Sequence, residues 1–287
     1  MFIRYLVLLT LLVSSGAFAQ PTVWKAEKDD RIYTLMGTIH LGKPDYYPLP
    51  VAITSAFDET DGLVVEANIL SDTNVSLPKG NPAKNYLNSN ELDLLSSIAK
   101  KAGLPATALM NMTPWQAAFA LQQYQAQQLG MKTELGIDVH FLSKALKLGV
   151  PIISLETVQQ QLDMVANMRN DGLPLLLDTI NEWDNSEKFL SCLESAWLAG
   201  DSATMTKLLN ESMEDAEETE HVLLTDRNKK WVDTLRNPYK FKRGNYTVVV
   251  GALHMYGDQG LITLLKEKGF QVTVLNKEGR VGCFDKL

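Results

Sequence analysis

Gly37-Thr38-Ile39-His40-Leu41-Gly42 and Gly251-Ala252-Leu253-His254-Met255-Tyr256-Gly257 are two copies of one short pattern, set near opposite ends of the chain. Each follows an apolar, strand-like run, residues 31–36 before the first copy and 246–250 before the second. A histidine at the carboxyl end of a strand, flanked by glycines, sits where ligands meet an α/β sheet. The chain has only four histidines, so two in a matched setting point to one shared site.

The surroundings extend this pattern. Residues 23–26 and 31–36 read as strands around the turn Asp29-Asp30, and 62–66 and 150–155 as buried strands. Residues 246–250 and 271–275 complete the set. Helices are expected over 48–59, 89–102, 114–128 and 137–148, the third opened by Thr113 and Pro114 and the fourth closed by Gly149. Further helices are expected over 158–169, 174–199, 201–213, 219–235 and 257–268. Residues 71–88, rich in Asn, Ser, Pro and Gly, read as a surface loop. Glu211 to Glu220 reads as a solvated acidic face. Strand and helix alternate at the ends, and the middle is almost all helix. The class is therefore α/β: a mostly parallel central sheet flanked by helices, with a large helical insertion in the middle of the chain.

Two of the other strands also end in an ionisable residue, Glu66 after Gly62-Leu63-Val64-Val65 and Glu156 after Ile152-Ile153-Ser154-Leu155. In a parallel sheet His40, Glu66, Glu156 and His254 share one edge. Two imidazoles and two carboxylates suit a divalent metal such as Mn, Co or Zn. A bound metal lowers the pKa of water and polarises a carbonyl, so metal-assisted hydrolysis follows, with one carboxylate as general base. A metal-free version uses a histidine or glutamate to activate water. The bland alternative places Glu66 and Glu156 in buried ion pairs with an arginine such as Arg227. Arg227, beside Asn228, is equally a holder of a carboxylate, a stabiliser of developing negative charge or a surface residue. His140 and His221 fall in expected helices and read as structural or surface residues.

Residues 1–19 read as a secretory signal: Arg4, an apolar run, then Ala17-Phe18-Ala19 as an A-x-A cleavage site. Residues 20–287 are then a single soluble domain, secreted across the inner membrane to a periplasmic or extracellular location, with no stable membrane insertion after cleavage. Export places Cys192 and Cys283 where a disulfide can form. A formal net charge of −7 disfavours nucleic acid and anionic membrane surfaces as partners. The expected partner is a peptide or small-molecule substrate, and the oligomeric state is left open.

Met36-Gly37-Thr38-Ile39-His40-Leu41-Gly42, Val64-Val65-Glu66, Gly136-Ile137-Asp138, Leu155-Glu156-Thr157, Asp226-Arg227-Asn228 and Val250-Gly251-Ala252-Leu253-His254-Met255-Tyr256-Gly257 together resemble the TraB/GumN family over about residues 22–276. That family is related to the Tiki metalloproteases, which share the paired G-x-x-H motifs. Its fold resembles that of erythromycin esterases and of a haem-binding lipoprotein group. The resemblance implies a single α/β domain with a site of His40, Glu66, Glu156, Arg227 and His254. Gly37, Gly42, Asp138, Asn228, Gly251 and Gly257 would support it. It also implies peptidase-type chemistry dependent on Mn or Co. Many relatives read His-Leu-x-Gly where this chain has His254-Met255-Tyr256-Gly257, which leaves the histidine in place. The expected protein is an exported metal-dependent hydrolase. The alternative is a non-catalytic periplasmic binding protein for a peptide, haem or metal.

Overall fold

A computed structural model describes residues 20–72, 75–214 and 216–286. The expected signal at 1–19 lies outside the described residues. Six strands form one sheet in the order β4-β3-β5-β2-β1-β6: β1 (Val23–Lys28), β2 (Arg31–Thr38), β3 (Gly62–Val65), β4 (Ile152–Ser154), β5 (Gly244–Gly251) and β6 (Gln271–Val274). β4, β3, β5 and β2 run parallel, while β1 pairs antiparallel with both β2 and β6. Burial on both faces of the sheet explains the continuous apolar runs: Leu63, Val64 and Val65 in β3, and Val248, Val249 and Val250 in β5, have at most 1% of their surface exposed.

The flanking helices are α1 (Val51–Asp58), α2 (Ser89–Ala102), α3 (Ala106–Asn111), α4 (Pro114–Gln128), α5 (Ile137–Leu148), α6 (Val158–Ala166), α7 (Arg169–Asn181), α8 (Ser186–Ala199), α9 (Ser202–Met213), α10 (Glu217–Glu220), α11 (Asp226–Leu235) and α12 (Leu261–Glu267). One core joins the sheet to residues of α1, α5, α8, α9, α11 and α12. A second, made by residues of α2, α3, α4, α6 and α7, is the expected helical insertion with its own apolar centre. The insertion is not one block, because α5 and β4 return to the sheet between α4 and α6.

Several expected helices divide. Residues 158–199 form three helices, not two. Asn170, Asp171 and Gly172 adopt left-handed backbone (φ 51°, 56° and 84°), which Asn, Asp and Gly tolerate best. The regular turns resume around Pro174, and the chain breaks again between Asn181 and Ser186. Residues 219–235 are interrupted by a π-helical turn, His221–Thr225. Ala106–Asn111 is a helix the apolar period did not reveal, because six residues give too short a pattern. The last helix starts only at Leu261, because Gly257 adopts left-handed backbone (φ 78°) and Gly260 is the extended N-cap residue.

Cys192 on α8 and Cys283 near the carboxyl end are joined in a disulfide that closes a 91-residue separation. Cross-linking residues so far apart restricts the unfolded chain by roughly 4–5 kcal/mol in the loop-entropy description. Replacing both cysteines by alanine should lower the free energy of unfolding by several kcal/mol, read from urea titrations. An unchanged midpoint would show that the bridge contributes nothing to stability.

Candidate functional site

The four parallel strands lie side by side, so the segments after them present Glu156, Glu66, His254 and His40 in that spatial order. Register places Thr38 of β2 opposite Gly251 of β5, and Val65 of β3 opposite Val249 of β5 and Ser154 of β4. The backbone N–H of Glu156 donates to the Glu66 carbonyl at 2.9 Å, which continues the ladder one step beyond the strands. The expected convergence is therefore present, and it centres on Gly251. A Cβ at that position would lie 3.0 Å from Glu66 Oε1, 3.4 Å from His254 Cδ2 and 3.5 Å from His40 Nε2. The Glu66 contact would be tight for a real side chain, while the two imidazoles would lie at ordinary contact distance.

Arg227 is the hub of this edge. The π-helical turn ends immediately before Asp226, and Arg227 follows in the first turn of α11. A guanidinium carries five donors, and all five are used. Nε donates to Glu156 Oε1 at 3.0 Å, and one terminal nitrogen bonds Glu66 Oε2 and Glu156 Oε1. The other terminal nitrogen donates to the Leu223 carbonyl (2.9 Å) and to His254 Nε2 (3.1 Å). The guanidinium carbon sits 4.6 Å from the Trp231 ring centroid, a cation–π contact. Gln161 Nε2 donates to Glu66 Oε2 (3.1 Å) and Glu156 Oε1 (2.9 Å), and the Gly251 N–H donates to Glu66 Oε1 (2.6 Å).

These contacts fix the protonation of His254. Arg227 can only donate, so His254 Nε2 accepts and is unprotonated. Its Nδ1–H then donates to Asn228 Oδ1 at 2.6 Å, while Asn228 Nδ2 donates to the Gln259 carbonyl at 2.8 Å. Burial lowers His254 from 6.5 to about 3; Glu66 opposes that shift and the Arg227 charge adds to it. Burial works to raise Glu66, and the positive side overcomes it, holding the carboxyl at about 2. His254 faces Glu66 but is neutral, so the Arg227 charge, the His40 charge and the Gly251 N–H are what hold the carboxyl down.

His40 is built differently. Its side chain is 61% exposed. Its Nδ1 lies 2.8 Å from Asp138 Oδ2, and the Thr38 hydroxyl donates to Asp138 Oδ1 at 2.8 Å. Asp138 comes from the first turn of α5, which is tied to the motif by an Ile137 N–H to Ile39 carbonyl bond of 3.1 Å. With Nδ1 directed to Asp138, Nε2 is left toward Gly251 and Glu66. The Asp138 carboxylate raises His40 from 6.5 to about 9, with burial opposing. Water on the exposed face screens that attraction, so the imidazole titrates between those limits.

As they stand, these residues do not fit a divalent ion at their centre. Arg227 occupies His254 Nε2 and oxygens of both glutamates, and its positive charge fills the space between the carboxylates. Among the described residues no group of three or more His, Cys, Asp or Glu is arranged to hold a metal ion. The arrangement matches the ion-pair alternative for Glu66 and Glu156. With its donors spent on the protein, Arg227 positions other residues and has none left for an oxyanion.

Other expected residues lie apart. The Gly37 carbonyl accepts from Trp197 Nε1 (2.8 Å), Gly42 forms a bridge with Lys132, and the Gly257 carbonyl accepts from the Thr263 hydroxyl (2.9 Å). His140 packs between Tyr47 and Phe141, and His221 is exposed at the start of the π-helical turn. Cys192 and Cys283 serve the disulfide. Gln161, Thr38 and Trp231 belong to the site and escaped the sequence reading. The one available signal was Gln161, five residues after Glu156 on the first turn of α6.

A model of the TraB/PrgY/gumN family matches residues 22–274. The YbaP protein of Escherichia coli (strain K12), described as uncharacterized, is 33% identical over 243 residues, covering 83% of this chain and 89% of the relative. YbaP of Shigella flexneri is 33% identical over 238 residues, covering 81% and 87%. No solved structure matches.

Arg227→Met should destabilise the fold by roughly 3–5 kcal/mol, because it leaves the buried Glu66 and the half-buried Glu156 without a close counter-charge. Arg227→Lys should recover little, since an ammonium lacks the planar five-donor fork. Equilibrium urea unfolding measures both, and a loss below about 1 kcal/mol would dismiss the hub. Acid should act through His254. Its folded value lies below its ordinary one, so its contribution is present above pH 6.5 and is lost as pH falls toward 3. Stability measured across that window should fall with pH, and His254→Asn should flatten the fall.

Proposed function

The chain belongs to the TraB/PrgY/gumN family, and from that premise we propose that it is an exported hydrolase acting on peptide or other amide bonds. The observation that carries this reading is His40. One imidazole, exposed on one side, is oriented by a carboxylate through Nδ1 and offers Nε2 beside an edge whose other charges are locked. That is the arrangement of a general base. His40 takes a proton from water as the oxygen attacks the carbonyl carbon, and returns it to the leaving nitrogen. Asp138 holds the tautomer and stabilises the imidazolium. Glu66, ionised at any neutral pH, adds a second negative charge near Nε2. Arg227 keeps Glu66, Glu156 and His254 in place. Export is supported by the signal-like residues 1–19 and by the disulfide. Among the described residues no helix is long and apolar enough to cross a membrane.

A second reading has a specific observation behind it. A histidine that gives Nδ1 to a carboxylate and leaves Nε2 free is oriented as metal-ligating histidines usually are. His40 with Glu66 would then hold Mn, Co or Zn, and Arg227 would first have to release Glu66. In a third reading the same edge retains a peptide, haem or metal without turnover.

Incubation with a diverse peptide mixture separates the readings. Cleavage in the presence of EDTA is expected, and His40→Ala should lower it by about 10²–10⁴-fold. The rate should rise with pH on a limb whose apparent pKa lies between 6.5 and about 9. Asp138→Asn should move that limb down, because the charge that raises it is gone. Cleavage seen only after adding Mn, Co or Zn would replace the metal-free mechanism with the second reading. Retention of peptides without cleavage would favour the third.

A further inference from the structure

The His/Glu edge occupies the carboxyl ends of the parallel strands. At the opposite pole, where β2 and β5 begin, lies a cavity of about 590 Å³. Six cationic side chains line it, Lys28, Arg31, Arg236, Lys242, Arg243 and Lys268, against the single carboxylate of Asp29. This concentration occurs in a chain of net charge −7. β2 is eight residues long, so at ~3.3 Å per residue the cavity lies roughly 25 Å from His40.

Part of this charge has a local structural task. α11 and α12 both end here, and a helix carboxyl end carries partial negative charge. Lys28 Nζ donates to the Lys268 carbonyl (2.6 Å), and Arg31 donates to the Arg236 carbonyl (2.8 Å). At the rim Arg243 pairs with Asp30 (2.7 Å), and Arg236 lies 3.5 Å from Asp233. These contacts leave the interior positive. The Arg31 side chain is 7% exposed, yet its one carboxylate contact, Asp29, is 3.4 Å away and itself 72% exposed. Among the described residues only two bonds are made by its five donors. The guanidinium also lies 5.9 Å from the Phe270 ring centroid, so a buried charge is met only by a long ion pair and an aromatic face. Neither Lys242 nor Lys268 is paired with a carboxylate among the described residues.

We propose that this cavity binds a small, multiply charged phosphate-type anion. The unspent Arg31 donors match two phosphate oxygens at once, and Lys242 and Lys268 supply point charges at the mouth. A concave positive site with low-dielectric walls focuses its field on such a group. The same chemistry is carried by a free phosphorylated solute and by a phospholipid headgroup, and the two arms of the test below separate them.

Calorimetric titration of the protein with pyrophosphate at low salt tests the proposal, paired with sedimentation on phosphatidylglycerol vesicles. One saturable pyrophosphate site is expected, weakened at least about tenfold in Lys242→Ala/Lys268→Ala with an unchanged unfolding midpoint. Arg31→Lys, which keeps charge and loses the fork, should weaken it as well. If Arg31→Lys does not fold, the double lysine variant decides. No saturable pyrophosphate binding, or equal binding by the double variant, would overturn the proposal. Vesicle binding without pyrophosphate binding would overturn it in favour of a membrane surface.

Discussion

The buried ion-pair network of Arg227 with Glu66 and Glu156 is the constraint on which the rest of the site depends. Two carboxylates just beyond adjacent parallel strands, Glu66 buried and Glu156 half-buried, are brought together, and each would be costly there alone. A single guanidinium answers both. Its fork spans neighbouring strand ends, so one residue of α11 ties β3 to the segment after β4. The remaining donors reach the Leu223 carbonyl and His254, which extends the network to the turn after β5. Removing one member strands the others, so the network behaves as a unit.

That constraint divides the two motif histidines into different roles. His254 is enclosed, neutral and of fixed tautomer, with Asn228 on one nitrogen and Arg227 on the other. His40 is exposed and tied by one nitrogen only, with the second nitrogen at the edge of the network. Two copies of one sequence pattern thus supply one enclosed, fully bonded imidazole and one exposed imidazole with a nitrogen left over. The asymmetry arises outside the motifs, in Asp138 of α5 and in the helix that carries Arg227 and Asn228.

Much of this was legible in the chain. Strand-end placement follows from apolar runs that stop at Glu66, Glu156 and the two G-x-x-H copies, and the parallel sheet brings those ends together. With only two cysteines in the chain the pairing could only be Cys192 with Cys283, but whether they meet was open until the fold brought them together. What the chain did not display was direction. Helical periodicity assigns Arg227 to a helix, but a π-helical turn just before it changes which face it presents, and such a turn leaves no mark in the apolar period. For the same reason the choice between a metal and a guanidinium at the centre could not be read from residue types. Two glutamates and two histidines suit either. The break at Asn170-Asp171-Gly172 falls in the gap expected between 158–169 and 174–199, whereas the one between Asn181 and Ser186 was hidden by apolar residues on both sides.

The central claim is that a guanidinium, not an open ligand set, fills the centre and leaves His40 as the titrating group. Nitrogen-15 NMR of the histidine rings tests it most directly. His254 should stay neutral with its proton on Nδ1 from about pH 4 to about pH 8, while His40 should titrate between 6.5 and about 9. A His254 that titrates near its ordinary 6.5, or whose Nε2 signal shifts on adding Mn, Co or Zn, would contradict it.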